Sequence, residues 1–260
     1  MNGVNPMQVD DLLAFAQQLA DAARPIAMRY FRQPLAVETK ADHSPVTIAD
    51  RMIETEMRRL IAARFPEHGV FGEEFTRQVG AEYTWVLDPI DGTKSFITGM
   101  PLFGTLIALV RGREPVLGIV DFPAMGERWM GVAGDATRLN GQPARASGCS
   151  SIAQSRCYST SPDMFDDRDR PRFEALSQRA AMRRFGGDCY AYALLASGHC
   201  DMVVEAGLQP YDYLPLVSVI EGAGGRITDW QGERLGFDSD GRVIAAASEA
   251  LWEQAVDALR

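Results

Sequence analysis

The chain opens with two stretches whose apolar residues recur at helical spacing. The first covers about Val9–Tyr30. The second follows Thr47 and Asp50, which stand three residues apart as in a capping box with Asp in place of Glu, and it ends near Phe65. We therefore expect two amphipathic helices before the first long strand.

A block of strands is predicted after these helices. Trp85-Val86-Leu87 has the length and composition of a buried strand. Three further β-rich runs follow, separated by turn-forming segments: Thr105–Val110, Pro115–Asp121 and Arg128–Val132. Because the connections between these runs are short, we expect hairpins or a meander.

The polar, glycine-containing segment Gly134–Gly148 is the predicted boundary between two halves, residues 1–148 and 149–260. In the second half strand and helix patterns alternate, which predicts a covered and largely parallel sheet. The predicted strands are Arg156–Ser159, Met202–Glu205, Arg226–Trp230 and Val243–Ala247. The predicted helices are Pro171–Ala180, Tyr190–Ser197, Asp212–Glu221 and Glu249–Leu259.

Composition narrows the class of protein. Of the 260 residues, 46% are hydrophobic and 23% are charged, as in ordinary soluble globular proteins. The net charge of −9 argues against nucleic-acid binding, because a phosphate backbone selects the opposite sign, but it leaves cationic substrates open. No apolar run approaches the ~18 residues of a membrane span, and the N-terminal sequence lacks the features of a signal peptide. We therefore expect a cytoplasmic protein that binds neither nucleic acid nor membranes.

Familiar nucleophile and nucleotide-binding motifs are absent from the sequence. It contains no G-x-S-x-G, H-E-x-x-H or G-x-x-x-x-G-K-[ST] pattern, and its three histidines are widely separated. Its four cysteines lack C-x-x-C spacing and are interpreted as free thiols. The glycine-rich segment 221–225 ends a predicted helix and enters a strand, which favours a helix C-cap over a dinucleotide loop. Carboxylates, a threonine and bound metal remain as the source of any chemistry.

The segment from Asp88 to Thr93 offers such chemistry. Asp88 ends the buried strand, and Asp91 follows across Pro89, which stiffens the turn between the two carboxylates. Gly92 permits close backbone approach, and Thr93 can cap a short helical turn whose free N–H groups suit an anion. Two carboxylates on one stiff turn favour a hard cation such as Mg²⁺, which shares its coordination with substrate phosphate. An ordinary Asx turn is the alternative.

Other acids stand where the predicted secondary structure changes. Glu73 follows a short apolar run, and Asp212 begins a helical pattern. Taken alone, Asp212 is explained by a helix N-cap, and Asp50 by the preference for acids in the first helical turn. It is the set of acids as a whole that indicates a metal site.

Three motifs together resemble the inositol monophosphatase family of metal-dependent phosphomonoesterases. They are Gly72-Glu73-Glu74, Asp88-Pro-Ile-Asp-Gly-Thr93, and Tyr211-Asp212 followed by Glu221-Gly-Ala-Gly-Gly225. The resemblance covers nearly the whole chain and departs from the family pattern at Tyr211, where Trp is usual. It implies an α/β fold, namely a layered α-β-α-β-α sandwich of the metal-dependent sugar-phosphatase type, and a homodimer.

Within that family the chain is most similar to the histidinol-phosphate phosphatases, on the segments 40–50, 94–99, 187–192 and 205–212. By this resemblance two to three Mg²⁺ ions, or Mn²⁺ or Zn²⁺ in their place, would be bound by Glu73, Asp88, the Ile90 carbonyl, Asp91 and Asp212. The catalytic residues would be Thr93, Asp50 and Glu73: Thr93 and Asp50 would act on the attacking water, and Glu73 would hold a third, weaker ion. The predicted reaction is hydrolysis of L-histidinol phosphate in histidine biosynthesis. Inositol 1-phosphate or another small sugar or polyol phosphate is the alternative substrate.

Substrate choice is assigned to two further acids. Histidinol phosphate carries an ammonium group and an imidazole, which both suit acidic partners. Glu205 stands where the family contacts the organic part of the substrate, and Asp188 occupies a position where inositol-hydrolysing members have a small neutral residue. A helix N-cap is the alternative for Asp188. Backbone N–H groups around Gly92 and Thr93 would hold the phosphate. A catalytically silent metal-binding protein is the alternative from another class, and retention of every ligand together with Thr93 argues against it.

Overall fold

The structure, a computed structural model, describes residues 6–34, 38–39, 45–80 and 82–260. The α-helices are α1 (Pro6–Tyr30), α2 (Ile48–Arg64), α3 (Thr93–Thr98), α4 (Asp169–Ser177), α5 (Tyr190–Ala196), α6 (Pro210–Gly222) and α7 (Glu249–Leu259). The strands are β1 (Glu38–Thr39), β2 (Pro45–Val46), β3 (Gly69–Gly72), β4 (Tyr83–Asp91), β5 (Gly104–Arg111), β6 (Glu114–Phe122), β7 (Glu127–Val132), β8 (Arg138–Leu139), β9 (Gln142–Pro143), β10 (Arg156–Ser159), β11 (Met182–Phe185), β12 (Met202–Glu205), β13 (Arg226–Thr228) and β14 (Val243–Ala246). Residues 40–44, the first part of the segment 40–50 used above, lie outside the described residues.

Helices and sheets alternate in five layers. Helices α1 and α2 pack on one face of a sheet with the strand order β3-β4-β5-β6-β7-β8-β9. Helices α5 and α6 lie between this sheet and a second sheet with the order β11-β10-β12-β14-β13. Helices α4 and α7 cover the outer face of the second sheet. The predicted α-β-α-β-α sandwich is therefore confirmed.

Alternation along the strands divides the apolar side chains among three core layers. On β4, Trp85 and Leu87 point toward α1 and α2, whereas Val86 points into the layer between the two sheets. On β12, Val203 faces the same middle layer, and Val204 faces α7. Strands β4 and β12 are therefore covered on both faces, and each large apolar side chain that is fully buried contributes about 1.5–3 kcal/mol to folding.

The second sheet is mixed, so the prediction of a largely parallel sheet is confirmed only in part. Strand β10 is parallel to both β11 and β12, but β14 is antiparallel to both β12 and β13. The connection between β13 and β14, residues 229–242, contains no helix, so the chain returns in the opposite direction without a crossover.

Strand β11 was not predicted from the sequence. All four of its residues, Met182-Arg-Arg-Phe185, are exposed, because it forms the edge of the second sheet. A strand that faces solvent on both sides lacks the alternation of apolar and polar residues on which a strand prediction depends.

The prediction of free thiols is confirmed: Cys149, Cys157, Cys189 and Cys200 are all unbridged, and the last three are buried. Over the described ranges, the helices contain no segment with both the length and the apolar composition of a membrane span.

Helix α6 lies unusually close to the first sheet. Gly118 on β6 and Gly131 on β7 are cross-strand partners that face this helix. A Cβ atom on Gly118 would lie 2.0 Å from the carbonyl oxygen of Pro215, and one on Gly131 would lie 2.4 Å from the backbone of Ser218. The two glycines therefore let the α6 backbone rest directly on the sheet. Because Asp212 lies in the first turn of α6, this contact sets the position of that acid.

We expect Gly118→Ala to lower the free energy of unfolding by about 1–3 kcal/mol, because the added methyl group overpacks the contact with Pro215. The matched control is Gly236→Ala, where an added Cβ meets no atom within 4 Å. The control should stay within about 0.5 kcal/mol of the parent. Denaturant unfolding of both variants measures the difference, and equal stability would contradict the proposed close contact.

Candidate active site

The acids of the first half converge because β3 and β4 are parallel neighbours. Gly72 is paired with Leu87, so Glu73 and Asp88 follow at the same end of adjacent strands. In open α/β sheets, ligands bind at the carboxyl ends of parallel strands. The parallel pairing therefore brings together two acids that are separated by fifteen positions in the sequence.

The segment from Asp88 to Asp91 is extended rather than a free-standing turn. It forms the end of β4, and the register with β5 is irregular between these two acids. Gly92 then adopts a φ of 77°, which is the left-handed region that favours glycine, and serves as the N-cap of α3. Thr93 is consequently the first residue of the helix and not its cap, which corrects the sequence prediction.

Asp212 also does not cap its helix. Helix α6 begins at Pro210, and Gln209 is the N-cap, so Asp212 lies in the first turn. The backbone N–H of Gln209 donates to Asp212 Oδ2 at 2.7 Å. The helix starts earlier than predicted because a proline at its first position fits the backbone angles of a helix start. The N-cap interpretation of Asp212 is therefore wrong.

Asp88, Asp91 and Asp212 form one compact group. One carboxylate oxygen from each lies within 4.8 Å of the others. Each carboxylate is also anchored by a backbone N–H group: Ile90 N to Asp88 Oδ1 at 3.1 Å, Cys189 N to Asp91 Oδ2 at 2.9 Å, and Gln209 N to Asp212 Oδ2 at 2.7 Å. The anchors come from three different segments and hold the three acids in place.

Ionisation of all three carboxylates in this group would destabilise the folded protein, because the like charges are close together and largely buried. Burial raises the pKa of Asp88 well above its ordinary value, and the charges of Glu73 and Asp91 raise it further. Burial and the charge of Asp91 likewise raise the pKa of Asp212, and burial with the charge of Asp188 raises that of Asp91 to about 6. A divalent cation would replace the protons that these values imply. The oxygen-only set of donors fits Mg²⁺ or Mn²⁺ best.

Asp50, Glu73 and Glu74 form a second group, again with one carboxylate oxygen from each within 4.8 Å of the others. Asp50 is buried, and its Oδ2 accepts hydrogen bonds from the backbone and the hydroxyl of Thr47. Its Oδ1 is buried and has no hydrogen-bond partner among the described residues. A buried oxygen of this kind is costly unless a cation or a water molecule meets it, so this group also fits a metal ion. Glu74 was not predicted as a site residue from the sequence, although it directly follows Glu73 in the motif Gly72-Glu73-Glu74.

Thr93 and Asp50 were predicted to act together, but they are not hydrogen-bonded to each other. The Thr93 hydroxyl donates to the carbonyl oxygen of Ile90 at 3.1 Å, and Asp50 is bonded to Thr47. The capping box predicted from Thr47 and Asp50 is confirmed. Their joint action on water therefore stays a prediction, and it requires the Thr93 hydroxyl to leave the Ile90 carbonyl.

A cavity of about 90 Å³ adjoins the acids. Its wall includes Asp91, Asp188, Glu205 and Asp212. Asp188 has a φ of 44°, and Cys189, not Asp188, is the N-cap of α5. The N-cap interpretation of Asp188 is therefore wrong.

Asp188 instead bridges to the segment that begins α3. Its Oδ2 accepts a hydrogen bond from the Ser95 hydroxyl at 2.5 Å. A Cβ on Gly92 would lie 3.2 Å from the Asp188 side chain, so this carboxylate sits directly against the predicted phosphate turn. Burial raises the pKa of Asp188, which is partly offset by the bond from Ser95.

Glu205 is buried and already hydrogen-bonded. Its Oε1 accepts from the backbone and the hydroxyl of Thr160 at 2.9 and 2.6 Å, and its Oε2 accepts from the Tyr192 hydroxyl at 2.9 Å. Burial raises the pKa of Glu205 to about 7. Sequence reasoning missed Thr160, but its place directly after β10, which is parallel to β12, was an available signal.

The comparisons with known proteins agree on one family. A model described as the inositol monophosphatase family matches residues 8–260. The bifunctional phosphatase IMPL2 of Arabidopsis thaliana, named as chloroplastic, is 44% identical over 262 residues, which cover 97% of this chain and 76% of that protein. A histidinol-phosphatase of Chlorobaculum parvum is 37% identical, and the alignment covers 90% of this chain and 91% of that protein. An inositol monophosphatase structure from Zymomonas mobilis has a TM-score of 0.89 at 45% identity, covering 96% of this chain and 98% of that chain.

We expect the metal-free protein to become less stable as the pH rises from about 4 to above 6. The folded-state pKa of Asp91, about 6, lies above the value of about 3.9 for an unfolded chain, so the folded state binds more protons in this window. Burial also raises the pKa values of Asp88 and Asp212 well above their ordinary value, so these two acids add to the loss. Thermal unfolding in EDTA and in Mg²⁺ should therefore differ more at pH 7.5 than at pH 5. An equal Mg²⁺ effect at both pH values would contradict this.

The variant Asp91→Asn should distinguish the destabilisation caused by the clustered negative charges from the stabilisation caused by bound Mg²⁺. Without metal at pH 7.5, its melting temperature should rise by a few degrees, because one of the clustered charges is removed. A change of about 1 kcal/mol corresponds to about 2–4 °C at this chain size. The stabilisation by Mg²⁺ should largely disappear, since a ligand charge is lost. A Mg²⁺ effect as large as in the parent would show that Asp91 does not bind the ion.

Proposed function

The chain belongs to the inositol monophosphatase family, and we propose that it is a Mg²⁺-dependent phosphatase that hydrolyses L-histidinol phosphate to L-histidinol and phosphate. As a member of this family it is a phosphoric monoester hydrolase. The substrate and the metal are the proposal. The observation that carries the choice of substrate is the cavity in which Asp188 and Glu205 share a wall with Asp91 and Asp212.

The residues proposed to bind Mg²⁺ are Glu73, Asp88, the Ile90 carbonyl, Asp91 and Asp212. When bound there, the metal would neutralise phosphate charge and lower the pKa of the attacking water. The backbone anchors of the three aspartates support this role, because they hold the carboxylates in place before any ion arrives. The oxygen-only donor set supports Mg²⁺ over a metal that prefers nitrogen or sulfur ligands.

The phosphate and the attacking water are assigned to residues of the first half. The N–H groups at the start of α3, around Gly92 and Thr93, lack partners within the helix, so they would donate to phosphate oxygens. The Thr93 hydroxyl would orient the water once it leaves the Ile90 carbonyl. Asp50 would accept the hydroxyl proton at its unpartnered Oδ1. Glu73 lies beside Asp50 in the second group of acids, which supports a joint role with it.

The organic part of the substrate is assigned to the two acids of the second half. Glu205 accepts three hydrogen bonds and has a pKa of about 7, so its capacity for a further cation is limited. Asp188 accepts one hydrogen bond, from Ser95, and carries most of the recognition of the ammonium group. A charge-assisted hydrogen bond of this kind contributes about 1.5–3 kcal/mol.

Inositol 1-phosphate is the second candidate substrate. The solved structure that matches at 45% identity is named an inositol monophosphatase, whereas the curated relative at 37% identity is named a histidinol-phosphatase. The saturation of Glu205 by Thr160 and Tyr192 also suits a neutral polyol, which does not require an unpaired acid. The charge of Asp188 favours histidinol phosphate. The preferred reaction belongs to histidine biosynthesis, and the cytoplasmic location and the homodimer stay predictions.

The proposed function is tested by phosphate release from four substrates at saturating Mg²⁺: histidinol phosphate, inositol 1-phosphate, fructose 1,6-bisphosphate and adenosine 3′,5′-bisphosphate. We expect the highest kcat/KM with histidinol phosphate. A higher value with inositol 1-phosphate would replace the first candidate by the second. Failure to release phosphate from any of the four would favour a catalytically silent protein.

Asp188→Asn should lower kcat/KM for histidinol phosphate by about ten- to a hundredfold, because one charge-assisted hydrogen bond to the ammonium group is weakened. For inositol 1-phosphate the value should stay the same or rise, since a carboxylate beside the phosphate turn is removed. Glu205→Gln should show the smaller selective effect, because its carboxylate is already satisfied by hydrogen bonds. Measuring both substrates at fixed pH and Mg²⁺ provides the internal control. Equal losses of kcat/KM on both substrates would show that Asp188 supports the structure of the site and does not determine substrate specificity.

A further inference from the structure

A buried carboxylate on α2 contacts the loop that carries Glu73 and Glu74. The side chain of Glu54 is fully buried. Its Oε2 accepts a hydrogen bond from the backbone N–H of Glu74 at 2.7 Å, and its Oε1 accepts from Arg58 Nε at 2.7 Å. A buried carboxylate destabilises the fold unless it is paired and hydrogen-bonded, and both oxygens of this one are. Glu54 therefore fixes the backbone between the two acids.

Arg58 contacts the backbone of the next residue in the same loop. Its Nη2 donates to the carbonyl oxygen of Phe75 at 3.2 Å, and its guanidinium lies 5.9 Å from the centre of the Phe75 ring. The pair formed by Glu54 and Arg58 is thus hydrogen-bonded to the backbone of two consecutive residues of the loop. Because Arg58 is positive, the pair adds no net charge behind the acids.

The strand end is shaped to admit this carboxylate. A Cβ on Gly72 would lie 2.1 Å from Glu54 Oε1 and 2.3 Å from its carboxyl carbon. A side chain at position 72 and the carboxylate of Glu54 therefore cannot occupy the same space. The glycine of the Gly72-Glu73-Glu74 motif is explained by this contact, and its backbone does not require a positive φ.

We propose that Glu54, together with Arg58, positions Glu73 for binding a divalent cation. The inference rests on the proposed function in that it takes Glu73 to be a metal ligand. Glu54 is a positioning residue, because its two oxygens are already used by Arg58 and the loop. A salt bridge that only joins helix and loop would stabilise the fold without changing the affinity for metal.

The chain offers a matched control for that distinction. Asp169 is also a buried carboxylate paired with an arginine, since Arg242 Nε donates to its Oδ2 at 2.7 Å. It lies on α4, in the outer layer of the second sheet, and the described residues give it no hydrogen bond to the loop 73–75. Asp169→Asn should therefore lower stability without affecting metal binding.

The experiment measures Mn²⁺ binding to the full chain by electron paramagnetic resonance, with thermal unfolding in EDTA alongside. The Mn²⁺ site to which Glu73 contributes is identified as the site whose affinity for Mn²⁺ falls in the variant Glu73→Gln. In Glu54→Gln, its dissociation constant should rise by about 10- to 100-fold, as is usual for residues that orient a metal ligand. In Asp169→Asn it should stay within about twofold of the parent. In the Glu73→Gln background, Glu54→Gln should have little further effect, because both changes act on the same ligand.

Several results would overturn the inference. If Glu54→Gln binds Mn²⁺ like the parent while its melting temperature falls, Glu54 has a structural role only. If the loss is equally large in the Glu73→Gln background, Glu54 does not act through Glu73. Should Glu54→Gln fail to fold, Arg58→Lys provides the test, because it keeps the charge but loses the fork that reaches both Glu54 and Phe75. Unchanged affinity in a folded Arg58→Lys would count against the proposal. Absence of Mn²⁺ binding by the parent would instead refute the metal centre itself, and the inference with it.

Discussion

The repulsion among Asp88, Asp91 and Asp212 is the constraint that the rest of the structure has to satisfy. One carboxylate oxygen from each lies within 4.8 Å of the others in a largely buried position. Two unit charges 4 Å apart interact by about 4 kcal/mol at the effective dielectric constant of such a site. Left without a cation, three ionised acids would push apart or take up protons. The elements that carry them must therefore be fixed by contacts elsewhere in the fold.

Those contacts come from both halves of the chain. Asp88 and Asp91 are held by the long pairing of β4 with β5, and Asp212 by the glycine contact between α6 and the same sheet. The N–H of Cys189, from the second half, donates to Asp91, and Ser95 of the first half donates to Asp188. The site therefore lies where residues before and after the predicted boundary at 148 meet. The boundary itself stays a prediction, but neither half alone contains all of these acids.

Local patterns predicted most elements but not the contacts among them. The strands Arg156–Ser159 and Met202–Glu205 have the predicted bounds, because their composition is recognisable within a short window. The parallel pairing of β3 with β4, which brings Glu73 to Asp88, depends on residues far apart in the chain and leaves no local signal. The same holds for the bond between Ser95 and Asp188. The family motifs identified the acids as site residues, but only the strand topology explains why they lie close together.

The placement of Asp188 shows how selectivity can arise beside a cluster of like charges. Its carboxylate lies against Gly92, where the phosphate is proposed to bind, and its charge contributes to the raised pKa of Asp91. Lys94 is a nearby positive charge that interacts with this carboxylate. A neutral substrate would add no further positive charge there, whereas a substrate with an ammonium group would place one directly against Asp188. In the proposed role Asp188 would disfavour a neutral polyol phosphate as well as attract a cation, and specificity can use both an attraction and a penalty. Such a penalty would act through charge and not through shape, so it would not require a cavity wall that excludes a neutral substrate.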